Sequence, residues 1–181
     1  MFLLVTGGAA SGKSEYAEQR AMQAAAPRVY LATMEPFGAE AQRRIHRHRR
    51  LRAEKGFLTI ECPVDIRSVG LPEKSTVLLE CLSNLAANEF FSSAGAGRER
   101  AEETIFSGIG SLLSRTEDLI VVTNELFSDG TAYDSSVMEY LRLLGKLNQK
   151  LAGIADEVVE VVCGIPVIWK KGKSYETMGI L

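Results

Sequence analysis

The chain has 181 residues, 46% hydrophobic and 24% charged, enough for one domain with a full core and too few for two large ones. Its formal net charge of -2 disfavours a general nucleic-acid binder, and no apolar stretch is long enough to span a membrane. The N-terminus lacks the basic start of a signal peptide, and Cys62, Cys81 and Cys163 are too scattered for a disulfide framework or a zinc site. The cytoplasm is therefore the expected compartment, and each cysteine reads as a small buried residue near a strand end.

The first predicted strand, 2–6, runs into Gly7-Gly8-Ala9-Ala10-Ser11-Gly12-Lys13-Ser14, and a helix is predicted over 13–25. The segment fits G-x-x-x-x-G-K-[ST] in the strand–loop–helix context that the phosphate-binding loop requires. Glycines let backbone N–H groups turn inward around a phosphate. Lys13 can reach the β/γ-phosphates, and the Ser14 hydroxyl can ligate Mg²⁺. The positive end of the following helix dipole adds to the attraction.

A strand over 28–32 is followed by a predicted helix, 39–54. Inside it, Arg43-Arg44-Ile45-His46-Arg47-His48-Arg49-Arg50-Leu51-Arg52 gathers six arginines and both histidines of the chain. One reading is a solvated helix face, or a patch for RNA phosphates. The other is phosphate chemistry: guanidinium groups suit phosphate oxygens, and imidazole can attack phosphorus and hold the transferred group. His46 and His48 would lie roughly 200° apart on a helix, so at most one faces a given pocket.

Strands follow over 57–61 and 76–80. The second ends at Glu80, and an acid at the end of an apolar strand is the Walker B arrangement, which places a carboxylate at an adjacent strand end beside the Mg²⁺ held by Ser14. The alternative is an ordinary strand-end acid. A helix is predicted over 82–92. The small residues from Ser92 to Gly97 then read as a mobile surface loop. After a helix over 99–115, the strand 118–123 leads into Asn124 and Glu125. These are placed either to contact nucleotide or acceptor, as residues at C-terminal strand ends do, or simply to cap the strand.

A last helix over 134–152 precedes strands 157–162 and 165–169, whose connection at Gly164 is too short for a crossover. They should form a hairpin with one antiparallel edge strand. Residues 172–181 show no periodicity and read as a loosely ordered tail. Strands alternating with helices imply an α/β fold: a three-layer, P-loop NTPase-type domain spanning 1–181, with a mostly parallel sheet.

Taken together these segments resemble the bifunctional adenosylcobinamide kinase/adenosylcobinamide-phosphate guanylyltransferases. The resemblance lies in the phosphate loop and in Tyr30-Leu31-Ala32-Thr33. It continues through Arg44-Ile45-x-x-His48-Arg49, Thr59-x-Glu61-x-Pro63, Glu80-Cys81-Leu82-Ser83 and Thr123-Asn124-Glu125. It ends with Gly145-x-x-Asn148-Gln149-x-Leu151-Ala152-x-x-Ala155-Asp156-Glu157-Val158 and Gly164-Ile165-Pro166. It covers nearly the whole chain, from Leu3 to about Trp169. Two departures stand out: Ala10 replaces an arginine usual in the family's loop, and Leu126 to Thr131 replaces its Gly-rich V-G-x-G-I-V-P segment.

The resemblance implies phosphorylation of adenosylcobinamide by ATP or GTP, then transfer of GMP from GTP through a guanylylated histidine. It selects His48 as that nucleophile; an alignment shifted by two residues would select His46. It also implies nucleotide contacts at Thr33, Glu61, Glu80, Asn124 and Glu125 besides the phosphate loop, and a Mg²⁺ ion on Ser14 and Glu80. Lys13, Glu80 and His48 would carry the chemistry in a homotrimer. A kinase without guanylyl transfer, or a nucleotide-binding regulatory module without turnover, are the alternatives. Neither nucleic acid nor membrane is an expected partner.

Overall fold

A computed structural model of the chain describes residues 1–24, 27–35, 54–126, 130 and 133–172. Seven strands form one sheet: β1 (Phe2–Thr6), β2 (Arg28–Ala32), β3 (Phe57–Glu61), β4 (Thr76–Glu80), β5 (Asp118–Val122), β6 (Glu157–Val162) and β7 (Ile165–Lys170). Their spatial order is β3-β2-β4-β5-β1-β6-β7. All neighbours are parallel except β6 and β7. The described helices are α1 (Lys13–Gln23), α2 (Leu82–Phe91), α3 (Ala101–Arg115) and α4 (Ser135–Ile154).

Strand side chains alternate between faces, and here both faces are covered. Leu3, Val5, Tyr30, Leu78, Ile120 and Val122 point to one side, where Ala17 and Ala21 of α1 pack on them. Phe2, Leu4, Val29, Leu31, Val77, Leu79 and Val121 point to the other, beneath α2, α3 and α4. The small alanines let α1 approach the sheet closely, which brings its N-terminus onto the strand ends. The result is a three-layer α/β P-loop NTPase-type architecture, as the alternation of elements implies.

Two helix starts differ in a way that matters. The Asp134 carboxylate caps α4, accepting from Ser136 N at 2.9 Å and Val137 N at 3.0 Å. At the start of α1 stands Gly12, which provides no side-chain cap. Helices α2 and α3 also start without a side-chain cap, so it is the glycine-rich loop leading into α1 that makes its free N–H groups a candidate anion site.

Several expectations need correction. The Ser92–Gly97 loop is tied down rather than mobile: the buried Glu89 carboxylate accepts from Ala96 N at 2.8 Å and from Asp65 N at 2.7 Å. Of the cysteines, Cys81 is buried, Cys62 half-buried and Cys163 exposed. Cys163 and Gly164 both have positive φ, 50° and 80°, so they form the tight turn of the β6–β7 hairpin, and a turn residue projects into solvent. The predicted helix 39–54, apart from Glu54, and residues 173–181 of the tail lie outside the described residues.

Candidate active site

The loop between β1 and α1 is built from conformations that only glycine accepts easily. Gly7 has φ +153°, and a Cβ there would sit 2.6 Å from both Ser11 Oγ and Val161 O. Gly12 has φ +92° with the backbone of Gly164 behind it. The loop is held from two sides. Glu125 N donates to Gly7 O at 3.1 Å, and Gly164 N donates to Ser11 O at 2.8 Å. Thus the end of β5 and the hairpin turn both brace it. Lys13 is buried, and its Nζ folds back to donate to Gly8 O at 3.0 Å. Its ammonium therefore stands at the loop mouth. Ala9 and Ala10 are exposed, and Ala10 adopts φ +55° without being glycine.

Ser14, in the first turn of α1, donates from Oγ to Glu80 Oε1 at 2.5 Å. The contact forms although β4 is not adjacent to β1: β5 runs between them. The expected neighbouring strand ends are therefore one strand further apart. Ser14 spans the gap because α1 lies across the sheet and packs against β4 as well as β5. Glu80 Oε2 is buried and has no hydrogen-bond partner among the described residues. A hydroxyl and a carboxylate with one uncommitted oxygen are the hard-oxygen donor set that suits Mg²⁺.

The carboxylates of Glu61 and Glu80 end strands on either side of β2. Both share Ala32 as register partner, so their side chains leave the same sheet face, the one that carries α1. Ala32 between them is small and leaves the space open. Glu61 is exposed at the outer strand.

Thr33 is fully buried, and its hydroxyl is turned inward. It donates to Cys81 O at 2.8 Å and accepts from Cys81 N at 2.8 Å. Asn124 directs its amide to the Ser83 hydroxyl. Ser83 in turn offers its carbonyl to Tyr140, whose hydroxyl donates at 3.0 Å and is pushed up to about 12 by burial, with a smaller contribution from the nearby Cys81 thiol. The amide of Asn88, in α2, donates to Thr33 O at 2.7 Å and Pro63 O at 3.0 Å.

The structure therefore brings together the phosphate loop, Lys13, Ser14, Glu80 and the backbone of Glu125 at the C-terminal edge of the sheet. Glu61 lies two strands away on the same face. His46 and His48, with the whole arginine-rich segment 43–52, lie outside the described residues. The network of Thr33, Asn88, Ser83 and Tyr140 was not visible as a unit in the sequence. Its only trace is polar residues at inward positions of the otherwise apolar helix α2.

A protein-family model described as cobinamide kinase / cobinamide phosphate guanyltransferase matches residues 3–168. The chain is 34% identical over 182 residues to a bifunctional adenosylcobalamin biosynthesis protein of Salmonella typhimurium, across 92% of this chain and 98% of the relative. To its counterpart in Escherichia coli it is 32% identical, with the same coverage. A bifunctional adenosylcobalamin biosynthesis protein of Pseudomonas aeruginosa is 28% identical over 91% of this chain and 94% of its own. Among solved structures, the Pyrococcus horikoshii protein of project PH0250 superposes with TM-score 0.56 at 9% identity. That match covers 96% of this chain and 87% of the other, a likeness of fold alone.

Proposed function

The chain belongs to the cobinamide kinase / cobinamide phosphate guanyltransferase family, and on that premise we propose how its residues divide two transfers of cobalamin biosynthesis. In the first, the aminopropanol hydroxyl of adenosylcobinamide attacks the γ-phosphorus of ATP or GTP. The hydroxyl proton is lost and the nucleoside diphosphate leaves. In the second, a ring nitrogen of His48 attacks the α-phosphorus of GTP and pyrophosphate leaves. A phosphate oxygen of adenosylcobinamide phosphate then displaces the histidine, giving adenosyl-GDP-cobinamide.

The observation that carries this reading is the convergence of Lys13, Ser14 and Glu80 at an uncapped helix start, in a chain that matches the family along nearly its full length. The loop and first-turn N–H groups hold phosphate oxygens, and Lys13 turns from Gly8 O to the β/γ-phosphates. Mg²⁺ bound by Ser14 and Glu80 would neutralise charge on the phosphate oxygens. Glu61, Asn124 and Glu125 border the remainder of the nucleotide. Thr33, expected as a nucleotide contact, is buried with its hydroxyl committed to Cys81 and so does not touch the nucleotide itself.

The working unit is a homotrimer of one-domain subunits in the cytoplasm. An assembly is supported by β7, an edge strand exposed along its length that carries Ile165, Val167, Ile168 and Trp169.

The test is product analysis. Purified protein is incubated with adenosylcobinamide, Mg²⁺ and either ATP or GTP, and products are followed by mass spectrometry. Adenosylcobinamide phosphate should form first and adenosyl-GDP-cobinamide second, the latter only with GTP. Formation of the phosphate alone would leave a kinase, and neither product would leave a regulatory nucleotide binder.

A further inference from the structure

We infer that Thr33 is a positioning residue for the Glu80 carboxylate, acting through a hydrogen-bond clamp on the strand end that carries it. The inference rests on the reading of Glu80 as a nucleotide-metal ligand. All three polar groups of Thr33 are spent on this clamp. Its N–H donates to Glu80 O at 3.1 Å. Its hydroxyl donates to Cys81 O and accepts from Cys81 N, each at 2.8 Å. Its carbonyl accepts from the Asn88 amide at 2.7 Å. The peptide that follows Glu80 is thereby fixed at its acceptor by the Thr33 N–H and at its donor by the Thr33 hydroxyl, which also holds the carbonyl of the next peptide.

Three features make this a device for the site rather than general core packing. First, the clamped residues flank the carboxylate itself, whose Oε1 already meets Ser14 and whose Oε2 is uncommitted. A small rotation of the Glu80 backbone would swing both oxygens away from Ser14. Second, Asn88 passes the constraint to β3, since the same amide nitrogen donates to Pro63 O at 3.0 Å, two residues beyond Glu61. The ends of β2, β3 and β4 are thus pinned around the space above Ala32. Third, a hydroxyl is the one group of this size that donates and accepts strongly at once, a thiol doing both only weakly. Valine has the same shape but can do neither. Partners that orient a metal-binding carboxylate typically alter metal affinity by about 10- to 100-fold when removed.

The experiment measures how much Mg²⁺ strengthens binding of a non-hydrolysable GTP analogue, as the ratio of Kd in EDTA to Kd in Mg²⁺, together with Tm. Wild type, Thr33→Val, Thr33→Ser, Thr33→Cys and Glu80→Gln are compared. Thr33→Val should reduce the Mg²⁺-dependent gain by about tenfold or more. Thr33→Ser should restore it to within about twofold, because it keeps both bonds. Thr33→Cys, a weak donor and acceptor, should fall between them and decides the matter should Thr33→Val not fold. A lowered Tm with an unchanged Mg²⁺-dependent gain in Thr33→Val or Thr33→Cys would make the clamp merely structural and overturn the inference. An unchanged gain in Glu80→Gln would instead overturn the reading of Glu80 as a metal ligand, whatever the Thr33 variants do.

Discussion

The Ser14 hydroxyl reaches the Glu80 carboxylate across an intervening strand, donating to Oε1 at 2.5 Å while β5 separates β4 from β1. The contact depends on α1 lying across the strand ends, and that in turn depends on Ala17 and Ala21 packing flat on the sheet. It places a hydroxyl and an acid 66 residues apart in sequence at the mouth of the phosphate loop.

Removing either partner should weaken metal-dependent turnover. Ser14→Ala and Glu80→Gln are each expected to raise the Mg²⁺ concentration for half-maximal activity by about tenfold or more, with little change in Tm. Mg²⁺ titrations of turnover check this. A Glu80→Gln titration that overlays wild type would reduce Glu80 to a strand-end acid.

Lys13 is the first residue of α1, and its ammonium is bonded to Gly8 O of the loop rather than to a core group. Lys13→Ala should therefore leave the thermal transition within a few degrees of wild type. Turnover of nucleotide should drop by about 100-fold or more, since a preorganised cation at the phosphates is lost. Turnover equal to wild type would contradict the role assigned to the loop.

Acid stability should depend on the Arg20–Glu157 pair, which joins α1 to β6 by two bonds of 2.9 and 2.8 Å. The hydrogen bond from Arg20 is the main reason that Glu157 titrates below the usual carboxylate range. A carboxyl that is more acidic folded than unfolded stabilises the fold above its unfolded pKa, and this contribution disappears as pH falls through the lowered folded value. Arg20 stays charged throughout. The pair is partly solvated, so its worth is about 1 kcal/mol. Glu157→Gln should lower Tm at neutral pH by about 2–4 °C, and the gap to wild type should close in acid. A constant gap at every pH would contradict the assignment.

A trimer in solution should show three chain masses by light scattering. Trp169→Glu, on the exposed edge strand β7, should shift that mass downward without unfolding the subunit. A concentration-independent monomer in wild type would remove assembly from the account.

Much of this architecture was legible because apolar runs and amphipathic periods are local signals. Each strand from Phe2–Thr6 to Ile165–Lys170 begins where the sequence pattern places it, and the hairpin follows from its short connection. The phosphate loop was equally legible, because its glycines answer local backbone needs. Non-local geometry was not. That β5 inserts between β1 and β4 is a property of strand order, which periodicity does not encode. The inward turn of Thr33 depends on Cys81, 48 residues further on. The Ser92–Gly97 loop looks mobile by composition, yet Glu89, whose long side chain marks no period, holds it. The exposure of Cys163 follows from its place in the hairpin turn, where the left-handed backbone of a two-residue connection turns the side chain outward.

The covalent step tests the central claim most directly. Wild type, His48→Ala and His46→Ala are incubated with α-labelled GTP and Mg²⁺, and protein-bound label is measured after acid and base treatment. The account predicts an acid-labile, base-stable adduct in wild type, retained in His46→Ala and absent in His48→Ala, while His48→Ala still phosphorylates adenosylcobinamide. Label that persists in His48→Ala and vanishes in His46→Ala would move the nucleophile by two residues, and an unlabelled wild type would contradict guanylyl transfer by this chain.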